Sequence, residues 1–112
     1  MPGYLACCLL AASLWFSTSA MAWADTIDSR KLFETHCAGC HPNGANIIRR
    51  GKNLKQRALK RHGYESMDAI ATLITNGKGL MSAYSDQLSK DEITSLANYV
   101  LEQAAVNWKS VK

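Results

Sequence analysis

Residues 34 to 44 read ETHCAGCHPNG. Cys37, Cys40 and His41 fall within five positions, and any fold of this chain must find a use for them. A structural zinc site wants four Cys or His ligands in paired spacing. The other histidines are His36 and His62, and no second C-x-x-C occurs. A thioredoxin-like dithiol belongs in a βαβ unit, but the alternating β-branched runs that mark strands are scarce here. A disulfide across two intervening residues closes too short a loop to restrain much of the chain.

The remaining use is covalent attachment of a c-type haem, for which C-x-x-C-H is the signature. Each thiol adds to one haem vinyl group to form a thioether. The two-residue spacer at a helix end sets both sulfurs along one haem edge, and the next residue, His41, brings a neutral imidazole beneath the iron.

The chain has 112 residues, and none of the first 24 is Asp, Glu, Lys or Arg. Leu5 to Phe16, LACCLLAASLWF, is nearly all apolar, and STSAMAWAD follows with small residues at alternate positions. That pattern reads as a secretory signal peptide over residues 1–24, cleaved after Ala22 or Ala24. The apolar run is shorter than the roughly 20 residues that a membrane span needs, so no permanent membrane anchor is expected. The leader lacks the usual basic residues near its start. It does not have the Arg-rich, Ser-rich character of a transit peptide, which points to a bacterium. Cleavage removes Cys7 and Cys8 and leaves one domain, residues 25–112, with only Cys37 and Cys40. A domain this small hides little over 60% of its unfolded surface, and a buried cofactor offsets the deficit.

Four helices are predicted: Ile27 to Cys40, Asn53 to His62, Ser66 to Asn76, and one opening at Ser89 with the capping box Ser89/Glu92. Asn53 is a candidate N-cap, and Gly63 and Gly77 stand where helices end. The fold class is all-α, with Ile47, Ile48, Leu54, Leu59, Leu73, Ile74 and Leu80 as candidate pocket walls. The stretch GKGLMSAYSDQLS has no helix or strand pattern, and loops of that length are often functional. It carries Met81, which Gly77 and Gly79 allow to bend closely against a flat macrocycle. The other candidates for a sixth ligand are Met67, at the start of an amphipathic helix, His36, beside the anchor cysteine, and His62, in a basic run. Ligation by His41 and Met81 fills both axial positions and raises the potential, which favours electron transfer over substrate chemistry.

The formal net charge is +4. No acidic residue lies between Thr35 and Tyr64, whereas Arg49, Arg50, Lys52, Lys55, Arg57, Lys60 and Arg61 all do. Such a run is either a solvated helix face or a positive patch that steers an acidic partner. Aromatic residues do not interleave with it, so nucleic acid is not the expected partner.

These stretches resemble one family. LFETHCAGCH, GANII, MDAIATLITNGKGLM, and LSKDEITSLANYVLEQA followed by Trp108 and Lys109, are similar to the small class I cytochromes c of the cytochrome c6 (cytochrome c-553) type. The likeness covers essentially the whole mature chain. It implies a class I cytochrome c fold, about four short helices wrapped around one covalent haem c, with the first and last helices crossing near Phe33 and Tyr99. Cys37 and Cys40 would carry the haem, and His41 and Met81 would be the axial ligands. The implied activity is one-electron transfer without enzymatic turnover, by a soluble monomer in the thylakoid lumen or periplasm of a cyanobacterium. The implied donor is a cytochrome b6f-type complex, and the implied acceptors are photosystem I and a terminal oxidase.

Three positions depart from the family pattern. Leu73 stands where photosynthetic members commonly have a haem-contacting glutamine, Gln87 where they have an arginine used in photosystem docking, and Ser82 where a proline follows the methionine. They mark a cytochrome c6-like variant. The competing expectation is a haem subunit, or a small haem enzyme or sensor, whose sixth ligand can be displaced.

Overall fold

The computed structural model describes residues 26–109, so the expected signal peptide lies outside the described residues. The all-α expectation holds. Four helices follow one another: α1 (Ser29–His36), α2 (Gln56–His62), α3 (Met67–Asn76) and α4 (Lys90–Ala105). Short 3-10 turns at Pro42–Gly44 and Arg50–Lys52 punctuate the long connection between α1 and α2.

Each helix starts where a side chain or a turn can take up its free amide groups. Asp28 caps α1 through the Lys31 amide at 3.1 Å, and Ser66 caps α3 through the Ala69 amide at 3.2 Å. At α4 the Glu92 amide donates to Ser89 Oγ at 3.1 Å and the Ser89 amide donates to Glu92 Oε1 at 2.9 Å. Each such cap is worth about 1 kcal/mol. Gly63, in the left-handed region, closes α2.

Two boundaries differ from the sequence expectation. α1 ends at His36 rather than Cys40, because the Cys37 and Ala38 amides both turn back to the Phe33 carbonyl. The anchor residues therefore lie on a turn just beyond the helix. α2 begins at Gln56, not beside Asn53. Asn53 instead accepts the Lys55 amide in a local turn, while the Leu54 amide reaches back to the Gly44 carbonyl at 2.7 Å.

α4 is the centre of the packing. Its Leu96 and Ala97 are fully buried, with α1 against one side and α3 against another. Phe33 of α1 meets Tyr99 of α4 at a ring separation of 5.4 Å and Trp108 at 5.0 Å. The expected crossing of first and last helices is therefore present. Ser29 and Ser95 hydroxyls form a second tie between the same two helices. The core of Phe33, Leu59, Ile70, Ile74, Leu88, Ile93, Val100 and Trp108 surrounds Leu96. Truncating Leu96 to alanine there is expected to cost about 2–5 kcal/mol.

Candidate functional site

One cleft of about 550 Å3 gathers most of the residues that the sequence singles out. Cys37, Cys40 and His41 enter it from the turn after α1, Leu73 and Ile74 from α3, and Met81 from the loop after α3. Ile48, Leu54, Leu59 and Leu80 also line it, whereas Ile47 does not. Ile47 is 61% exposed and faces a separate surface hollow. Met67 packs against the core and does not line the cleft.

The attachment turn is held by its own backbone. The His41 amide donates to the Cys37 carbonyl at 2.9 Å, and the Ile47 amide closes the next loop onto the Cys40 carbonyl at 3.0 Å. Burial pushes the Cys37 thiol up to about 11, whereas Cys40 is exposed. His41 Nδ1 lies 2.9 Å from the Ala45 carbonyl oxygen. A carbonyl can only accept, so Nδ1 carries the proton and Nε2 keeps its lone pair free for a metal.

The Met81 loop is a tight reversal. The Lys78 and Met81 amides donate to each other's carbonyls, both at 3.0 Å. Gly77 has φ 69, and any side chain there would collide with the Met81 carbonyl and the Ala83 amide. The glycine is thus required by close backbone approach.

His36 and His62 also reach the cleft, but both are engaged elsewhere. The His36 ring packs edge-on against Tyr84 at 5.8 Å, and His62 Nε2 lies 3.3 Å from the Gly51 carbonyl. Among the described residues no group of three His, Cys, Asp or Glu side chains could hold a metal ion unaided.

The donor set fits a haem. Two thiols and an imidazole with a free nitrogen share an otherwise mostly apolar cleft with a thioether. Arg49, Lys52 and Lys78 reach the cleft, and among the described residues no carboxylate lines it, which suits a ligand bearing its own acid groups.

Sequence reasoning missed Ala45 and Tyr84, and it singled out Trp108 without finding its contact to Leu54. Ala45 contributes only a backbone carbonyl, which no residue pattern advertises. Tyr84 and Trp108 act through bonds to residues 48 and 54 positions away.

Comparison with known proteins supports the same assignment. Residues 24–100 match the family model described as cytochrome C oxidase, cbb3-type, subunit III. A cytochrome c6-like protein of Nostoc sp. is 55% identical over 85 residues, 76% of this chain and 77% of that one. A cytochrome c6 of Synechococcus sp. is 42% identical over 93% of this chain and 92% of its own length. The crystal structure of cytochrome c6C from Synechococcus sp. PCC 7002 is 58% identical, covers 70% of this chain and 95% of that one, and superposes with a TM-score of 0.68.

The chain belongs to the cytochrome c6 family. Cytochrome c6 proteins are haem c electron carriers of photosynthetic electron transport, and the haem is covalent. Cys37 and Cys40 occupy the C-x-x-C-H positions of this cytochrome c6 relative. No described helix is long and apolar enough to cross a membrane.

Proposed function

We propose that this protein is an exported, soluble one-electron carrier in which Cys37 and Cys40 would anchor the haem while His41 and Met81 would serve as its two iron ligands. The observation that carries the assignment is the shared cleft. It joins Cys37, Cys40, His41 and Met81, with the His41 Nδ1 proton committed to Ala45.

Bound haem supplies the one-electron couple. The chain's residues do the rest. Ala45 fixes the imidazole tautomer through Nδ1, which also makes Nε2 a better donor. The Gly77 turn holds the Met81 sulfur in a short, stiff loop. Leu54, Leu59, Leu73 and Ile74 exclude water and keep the local dielectric low, which is one lever on the potential. With His41 and Met81 both holding the iron, no ligand position would be left for a substrate.

Residues 1–24 would direct export, with cleavage after Ala22 or Ala24, to the thylakoid lumen or periplasm of a cyanobacterium. Arg49, Arg50, Lys52, Lys55, Arg57, Lys60 and Arg61 are all exposed. Among the described residues the salt bridge is Arg30–Glu34, so none of these seven is neutralised by one. This supports docking of an acidic redox partner: a cytochrome b6f-type donor, and photosystem I or a terminal oxidase as acceptor. The cytochrome c6 relative matched over 92% of its length favours a free carrier over a subunit of a larger oxidase.

A spectrum of the oxidised holoprotein tests the ligand pair. The far-red sulfur-to-iron charge-transfer band of low-spin haem is expected, and Met81→Ala should abolish it and lower the potential. An unchanged band and potential in that variant would remove Met81 as ligand.

A further inference from the structure

We propose that Tyr84 is a positioning residue for the sixth ligand, its hydroxyl fastening the Met81 loop to the end of α1 from which the haem anchors emerge. The proposal rests on Met81 being that ligand.

Most of the hydrogen bonds of the Met81 loop are internal or return to α3. The Lys78–Met81 pair joins the loop to itself, and the Tyr84 amide donates to Ile74, on the last turn of α3, at 2.9 Å. Such bonds stiffen the loop without deciding where it sits across the cleft. Among the described residues, two side-chain bonds tie it to other parts of the chain. One joins Lys78 Nζ to the Tyr64 hydroxyl, at 3.3 Å and exposed. The other is the Tyr84 hydroxyl donating to the His36 carbonyl at 2.9 Å, and it is partly buried.

The acceptor is informative. His36 is the last residue of α1, and its carbonyl is one of those a helix end leaves without an internal partner. Cys37 follows it directly. Tyr84 therefore links the residue before the first anchor to a point three residues beyond Met81. A chain gains at most about 3.6 Å per residue, so so short a tether fixes the position of Met81 closely. The His36 ring packs against the face of the same contact, edge-on to Tyr84. Burial first, then the nearby Cys37 and Cys40, push the Tyr84 phenol above its usual range and keep it a proton donor. The thiol contribution disappears when the cysteines become thioethers, but burial remains.

Without the hydroxyl the loop should leave the iron more often. An external ligand's apparent affinity scales with the fraction of molecules whose site is open. Loss of one hydrogen bond of this kind should raise that fraction about fivefold.

The test is carbon monoxide binding to the reduced holoprotein. Tyr84→Phe should bind it about fivefold more tightly than the unaltered protein. Asp28→Ala, which removes the α1 cap of comparable worth, should leave the affinity unchanged. A Tyr84→Phe affinity equal to the original overturns the proposal, as does an equal rise in Asp28→Ala, which would signify general softening. Met81→Ala separates the two levels. If it binds carbon monoxide no better than the original, the ligand assignment itself fails. If it binds strongly while Tyr84→Phe is unchanged, only the role of Tyr84 falls. Should Tyr84→Phe not accumulate, exchange of the Tyr84 hydroxyl proton in the unaltered holoprotein decides. That proton should give its own slowly exchanging magnetic resonance signal, and exchange as fast as that of an exposed tyrosine hydroxyl would overturn the clamp.

Discussion

Gly44 and Trp108 are packed so closely that no side chain fits between them: a methyl group at Gly44 would overlap the indole ring. The indole Nε1 also donates to the Leu54 carbonyl at 3.0 Å, and the Leu54 amide donates to the Gly44 carbonyl at 2.7 Å. Trp108 is thereby locked to the loop that follows His41. Gly44 has φ 79, so an alanine there meets both a collision and an unfavourable backbone. Gly44→Ala should cost about 2–4 kcal/mol. Urea denaturation of the holoprotein followed by far-ultraviolet circular dichroism would measure it, and an unmoved midpoint would contradict the packing account.

Leu73 lines the cleft from α3 as an apolar wall. Leu73→Gln would present amide N–H groups there, with their positive ends favouring the more electron-rich reduced state. The potential should rise by about 40 mV, the equivalent of about 1 kcal/mol for one electron. A redox titration gives the answer, and no rise would remove Leu73 from the tuning of the couple.

Alkaline solution should destabilise the fold through two tyrosines. Burial is the first cause that lifts the Tyr84 and Tyr99 phenols above their ordinary value. The unfolded chain therefore gives up these protons at lower pH than the folded one. Above about pH 10 the unfolded state binds fewer protons, so stability falls as pH rises through the interval up to the raised values. Denaturation midpoints should be level with respect to these groups below that point and then decline, more shallowly in Tyr84→Phe. An equally steep decline in that variant would exclude Tyr84 as a contributor.

The basic patch should act on rates. Arg49 and Lys52 are exposed and also line the cleft. Replacing both by glutamate should slow oxidation by ferricyanide about tenfold at low ionic strength and accelerate reaction with a cationic ruthenium complex. The differences should shrink as salt screens the field. Stopped-flow kinetics would detect both changes, and equal rates at low salt would show that the patch does not steer.

Much of the fold is legible in local sequence because local rules produce it. The Ser89/Glu92 capping box announces α4, and the structure contains both of its hydrogen bonds. The cysteine spacing, His41 and the glycine-flanked Met81 likewise mark the cleft before its shape is known. What local rules do not reach is decided at a distance. α2 starts late because Leu54 is drawn toward Gly44, and α1 stops early because Phe33 takes two amides. Ile47 and Ile48 look equivalent in sequence, yet only Ile48 faces the cleft. No pattern pairs Tyr84 with His36, since 48 residues separate them.

The partner that orients the His41 imidazole is a main-chain oxygen. Every amino acid carries that oxygen, so substitution at position 45 cannot delete the acceptor, only move it. Selection on the proximal side of the iron would therefore register as constraint on loop length and curvature between His41 and Ala45, with the identity of residue 45 left comparatively free to drift.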